Sequence, residues 1–136
     1  MLELVAIEQA REHLRLDYDD TGGPDDPWLE VMIPAISQAV ALWLKDEWRL
    51  YVPERDSDGE IVTDDSGNPV PAEDDEGNPI VQPVVRAAVL IELDSVYQFR
   101  SGEGRDNAVT PDAGHGYVLN KASTALLQSL RKPTVA

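Results

Sequence analysis

SDGEIVTDDSGNPVPAEDDEGNPIVQP, residues 57–83, separates two segments with helical patterning and cannot itself be helical. Gly67-Asn68-Pro69-Val70 and Gly77-Asn78-Pro79-Ile80 repeat one pattern ten residues apart, and Asp58-Gly59-Glu60-Ile61-Val62 is a looser copy. Glycine and asparagine supply positive backbone dihedrals, while proline is excluded from helix interiors and from central strands. Short aliphatic pieces, Ile61-Val62, Val70 and Ile80-Val81, lie between the turn signals. The pattern predicts a β-hairpin or tongue over about residues 54–82, with a disordered linker as the alternative. With no apolar side chain larger than Ile or Val, such a tongue reads as a contact arm rather than core, mobile in an isolated subunit.

The flanks predict the rest of the fold. Ile7, Ala10 and Leu14, with charges between them, predict a short amphipathic helix to about Leu16. An acidic loop with Gly22-Gly23-Pro24 follows. Asp26 then reads as an N-cap with Pro27 in the first turn, and Glu30 has capping-box-like spacing. This second helix is predicted to run to about Leu50, with Trp28, Met32, Ile36, Ala39, Val40 and Trp43 as its stripe and a bend at Pro34. Trp48 lies about 140° around the helix from Trp43, so the two rings cannot face one core. A third helix is expected over Val84–Phe99. Only Arg86 is polar between Val84 and Ile91, so this helix must be covered on most sides, which hints at self-association. Asn120 is expected to cap a last helix to about Arg131, with Leu119, Leu126, Leu127 and Leu130 on its apolar face. The expectation is one all-α domain over residues 1–136: a small bundle of three to four helices with an inserted β-hairpin between the second and third main helices.

The chain of 136 residues is large enough to bury roughly two-thirds of its unfolded surface. Eleven bases against 26 acids give a net charge of −15. That balance argues against a general nucleic-acid binder, which needs a basic footprint, and against docking on anionic membrane. Between Glu54 and Gln82 ten acids oppose one base, Arg55, which is −9 of the −15; from Ala113 onward there are three bases and no acid. Cysteine is absent, which excludes disulfides and thiolate metal sites. The N-terminus lacks a signal-peptide pattern, and no apolar run is expected to span a membrane, so the expectation is a soluble protein inside a cell.

Few residues suggest chemistry. Glu54, Asp56, Asp58, Gly59 and Ile61 match the first half of a calcium loop, but Asp65 stands where a bidentate Glu belongs and no helix follows. His13 and His115 have no paired acid or nucleophile at motif spacing. Gly102-Glu103-Gly104 lacks the Lys-Ser/Thr ending of a phosphate loop. No enzyme, cofactor or metal is expected.

"LVAIEQAREHLRLDYDD", "DPWLEVMIPAISQAVALWL", "VVRAAVLIELDSVYQFR" and "LNKASTALLQSLRKPTVA" stand in this order along nearly all of the chain outside residues 54–82. Their order and spacing resemble the head–tail connector (adaptor) proteins of long-tailed double-stranded DNA bacteriophages. The tongue is longer than that family's pattern, and the Arg105–Val118 loop is richer in glycine. The resemblance implies a mainly helical subunit of a ring, usually dodecameric, assembled in the host cytoplasm and carried in the virion neck. The ring would sit beneath the portal, extend the DNA channel without sequence-specific binding, and support a stopper or tail-terminator protein below, with no membrane involved. On that reading Leu126, Leu127, Leu130, Arg131, Lys132, Pro133 and Val135 dock on the portal. Trp48, Tyr51, Ile61, Val62, Val70 and Ile80 meet a neighbouring subunit or the next neck protein. Two other classes compete: an acidic DNA-mimic or inhibitor protein, and a calcium-binding module.

Overall fold

A computed structural model describes residues 1–98 in full, the backbone of 99 and 100, and residues 119–131. The predicted Arg105–Val118 loop with His115, and the tail residues Lys132, Pro133 and Val135, lie outside these. Four α-helices are described: α1 (Ile7–Leu14), α2 (Asp26–Leu44), α3 (Pro83–Arg100) and α4 (Lys121–Leu127). Short 3-10 turns follow α2 at Glu47–Leu50 and α4 at Gln128–Leu130. The expected small all-α bundle is present.

α1 starts where Gln9 Oε1 accepts the Ala6 N–H at 2.9 Å. It stops at Leu14, two residues early, because Arg15 turns left-handed (φ 57°) and the Leu16 N–H returns to the Arg11 carbonyl. Asp26 is not an N-cap. It is the first residue of α2, and its carboxylate receives the Arg11 guanidinium, with Nε–Oδ1 at 2.9 Å. This pair ties α1 to α2, raises the Arg11 pKa and holds the Asp26 carboxyl below the usual carboxylate range, the hydrogen bond being the main cause of each shift. No side-chain cap forms at this helix start, so the Glu30 capping box is not realised.

α2 also ends earlier than expected. The Lys45 N–H donates to the Ala41 carbonyl, and Lys45 then takes φ 77°, breaking the helix. The chain re-enters as the 3-10 turn, braced by Arg49 Nε on Asp46 Oδ2 at 2.9 Å, and drops Leu50 into the core. The buried face of α2 is Leu29, Ile33, Pro34, Ile36, Ser37, Val40 and Leu44. Ile36 and Val40 belong to the predicted stripe; Trp28, Met32, Ala39 and Trp43 pack half-buried beside it.

α3 is the centre of the bundle, packed against α4, α2 and α1. Val85, Ala88, Val89 and Leu93 are fully buried, and no residue from Val84 to Tyr97 is exposed. The chain's own helices thus cover much of the apolar surface of α3. Leu119 and Leu127 complete the core from the α4 side. The buried polar groups found there all hydrogen-bond. Ser37 Oγ accepts the Leu4 N–H, Ser123 Oγ donates to the Ala88 carbonyl, and Glu92 Oε1 accepts the Asn120 N–H at 2.6 Å, just ahead of α4.

The expected inserted β-hairpin is not found. Among the described residues no strand forms; the insertion is a series of tight reversals joined by isolated antiparallel bridges, such as Tyr51–Val81, Pro53–Pro71 and Thr63–Pro69. The physical reason is the closeness of the turns. Each short segment donates to one neighbour and accepts from another, as Val62 donates to Glu54 and accepts from Val70, so no two segments pair along a continuous ladder.

Candidate functional site

The tongue is built from one unit used three times. Glu54–Val62, Val62–Val70 and Ala72–Ile80 each step eight residues along the chain, with Asp at the third position (Asp56, Asp64, Asp74) and Gly at the sixth (Gly59, Gly67, Gly77). In every unit the Asp carbonyl accepts the Gly N–H at 3.0 Å. The Asp Oδ1 also accepts two further backbone N–H groups, from the residues two and four positions on, at 2.9–3.0 Å. The three glycines have φ of 82–83°, a region that side chains with a Cβ rarely occupy. Asp56, the third position of the calcium-loop match, thus spends an oxygen on its own turn. No group of acids or histidines arranged to hold a metal ion occurs among the described residues.

The units close on one another through two rings of backbone hydrogen bonds. Glu54 N–H donates to Val70 O, Val70 N–H to Val62 O, and Val62 N–H to Glu54 O, at 2.8–2.9 Å. One layer nearer the bundle, Val52 N–H donates to Ile80 O, Ile80 N–H to Ala72 O, and Ala72 N–H to Val52 O, at 2.8–2.9 Å. Each ring leaves no member's donor unpaired, so this stem offers no open edge to a wrong partner. The four prolines fall on odd-numbered positions, whereas all six ring donors are even-numbered. Proline is used only where no N–H is needed. The ten acids, Glu54 through Glu76, are all exposed.

The stem is anchored to the bundle. Gln82 N–H donates to the Leu50 carbonyl at 2.9 Å, and Gln82 Nε2 reaches the Tyr51 carbonyl at 3.3 Å. Between the stem and the end of α4 lies an open cleft of about 190 Å³, walled by Trp48, Arg49, Tyr51, Pro53, Ile61, Pro69 and Leu130 among others. It brings together three of the residues expected to make contacts: Trp48, Tyr51 and Ile61. Ile61 is 42% and Ile80 36% exposed; Val62 and Val70 are half-buried, and their backbones belong to the outer ring. Partial burial, and then the Glu47 charge, raise the Tyr51 pKa, so its phenol stays neutral at physiological pH.

Arg49 was not singled out by sequence, yet it organises this region. Its guanidinium stacks over the Trp48 ring at 4.3 Å, and its Nη1 donates to the Leu130 carbonyl at 2.9 Å. Arg131 stacks over Trp43 at 4.3 Å. The Arg131–Trp43 stack and the Arg49–Leu130 hydrogen bond therefore fasten the end of α4 to the end of α2. The only local signal for Arg49 was the Asp46–Arg49 spacing of three. Of the expected docking residues, Leu127 is fully buried in the core, Leu126 and Leu130 are half-buried, and Arg131 is engaged within the subunit.

One sequence expectation about membranes needs correction. α2 has 19 residues with a mean hydropathy of 1.3, long and apolar enough to cross a membrane by length and composition alone. A core helix passes the same test, and one face of α2 is core. No family model, no curated protein and no solved structure matches the chain.

Proposed function

We propose that this chain is a structural subunit of a bacteriophage neck: an adaptor that forms a ring, of dodecameric type, under the portal and passes DNA toward a stopper or tail terminator. The observation that carries the reading is a helical body from which an edge-free, acidic arm stands out on a pinned root. Such an arm presents surface to a neighbour without needing that neighbour in order to fold. The order of helical motifs along the sequence supports the same reading. An arm with ten exposed acids would repel DNA phosphates, as suits a channel that DNA must traverse without sticking. Contacts would come from the Trp48–Tyr51–Ile61 cleft and from Ile80, and portal docking from Leu126, Leu130 and the tail residues Lys132, Pro133 and Val135. Leu127 is excluded because it is spent on the subunit's own core. The chain would act without catalysis, cofactor or membrane, in the virion neck after assembly in the host cytoplasm.

The test is to mix the purified chain with portal rings and image the product. A ring of added density under the portal is expected, lost on truncation after Leu130. Bare portals at saturating chain concentration would overturn the reading. The three equivalently placed aspartate turns favour a second reading, a rigid DNA mimic; capture of a basic DNA-binding protein in competition with duplex DNA would support it instead.

A further inference from the structure

The exposed face of α2 carries a seam that Met1 and Leu2 border and that none of the described residues covers. Val31, Ala35, Gln38 and Leu42 are all exposed, Val31 at 66% and Leu42 at 70%. Their spacing of four, three and four is that of a two-helix seam, in which apolar positions alternate three and four residues apart. Only 39% of the most apolar 18-residue window of α2 is buried. No charged residue occurs between Glu30 and Lys45, in a chain whose net charge is −15.

We infer that this seam is a two-fold interface: α2 of one copy packs antiparallel on α2 of a second copy of the same chain. Charge selects both the occupant and the direction. Two molecules of charge −15 repel over most of their surfaces and can approach closely through a face without charge. The seam is flanked by exposed Glu30 at one end and exposed Lys45 at the other. Antiparallel pairing sets Val31 against the partner's Leu42 and Ala35 against the partner's Gln38. It also brings Glu30 within about one helical turn of the partner's Lys45, at both ends. Parallel pairing would set Glu30 beside Glu30. Residue sizes agree, since two large pairs close the ends and a small residue meets a polar one in the middle. A single polar position in such a seam fixes register. An isologous contact closes on itself. It is therefore the form of the free chain in solution, and it stands whether or not the chain serves in a neck.

The chain has no cysteine, so single cysteines report the geometry directly. Val31→Cys and Leu42→Cys are prepared separately and oxidised alone and mixed. The mixture is expected to form disulfide-linked dimers several-fold faster than either variant alone. Sedimentation should give a dimer for the native chain, and V31E/L42E should raise its Kd by at least about tenfold with an unchanged far-ultraviolet spectrum. E30K should weaken the dimer, and E30K/K45E should restore it. Self-linking of each variant without cross-linking of the mixture would overturn the antiparallel pairing. A monomer at about 1 mM that never cross-links would overturn the interface. Uptake by phospholipid vesicles, abolished by V31E/L42E, would assign the face to a membrane instead.

Discussion

The helical body and the tongue hold their shape by opposite means. In the body, side chains such as Leu29, Ile36, Val40, Val85, Val89, Leu93 and Leu127 are fully buried, and burial of apolar surface is the main stabilising term. From Tyr51 to Gln82 no residue is buried at all. There the chain is held by two rings of backbone hydrogen bonds and three aspartate turns. Removal from water stabilises the first region and correct backbone geometry the second. The body should therefore be sensitive to side-chain volume and the tongue to φ angles and to single donors.

Leu50 is where the two regimes meet, since its side chain is core and its carbonyl accepts from Gln82 at the tongue root. Leu50→Ala is expected to destabilise the whole subunit by about 2–5 kcal/mol, the usual range for a buried leucine. Urea unfolding measures it. A loss under about 1 kcal/mol would show that the root is not anchored through the core. Excising residues 53–80 and joining the root with a short Gly-Ser linker should have a smaller effect. The Leu50 carbonyl and Gln82 amide already meet at 2.9 Å, so a tight turn can replace the arm. Helical circular dichroism should persist, and the melting temperature should move by only a few degrees. Loss of folding would make the tongue part of the core.

Within the tongue, Gly67→Ala and Gly77→Ala meet no steric neighbour within 4 Å, so any cost is purely conformational. About 1 kcal/mol each is expected from the left-handed backbone, confined to amide exchange in the tongue. Asp64→Ala and Asp74→Ala each remove two hydrogen bonds from an exposed turn and should cost about as much. The smallest effect belongs to the body's surface staple. The Asp26 pKa is lowered, chiefly by its hydrogen bond from Arg11, so its folded value lies below its unfolded one. Its contribution is then full above the unfolded carboxylate pKa and is lost as pH falls through the folded value. Melting curves of Asp26→Asn should match the native chain at low pH and fall below it at neutral pH; equal curves at all pH values would remove Asp26 from the account.

Much of the body was legible because its signals are local. Pro83 and the apolar run after it mark α3, and the alternation of apolar and charged residues marks α1. What failed was geometry settled at a distance. Lys45 carries no helix-stop signal, yet α2 ends there because Leu50 must turn back into the core. Asp26 has an N-cap's chemistry, but Arg11 claims it. α3 reads as apolar nearly all round, and a linear pattern does not reveal which of its faces α1, α2 and α4 take up. For the tongue, Gly-Asn-Pro marked the turns correctly. The closed rings were also present in the parity of Pro53, Pro69, Pro71 and Pro79 against the donors, a signal that strand templates built on pairs do not look for. In the cleft, Trp48, Tyr51 and Ile61 were legible as unplaced apolar residues. Arg49 was not, because its partners are the Trp48 ring and a carbonyl 81 residues away.

The tongue is ordered by its own backbone, in a single copy, without a partner. Amide hydrogen exchange on monomeric protein, resolved by residue, tests it most directly at Val52, Glu54, Val62, Val70, Ala72 and Ile80. V31E/L42E supplies the monomer, since both side chains lie on the exposed face of α2 and neither touches the tongue's rings. These six even-numbered amides are expected to exchange slowly together, while odd-numbered Thr63 and Glu73, whose N–H groups are outside both rings, exchange quickly. Uniform exchange across residues 52–80 at the rate of an unstructured peptide would contradict it.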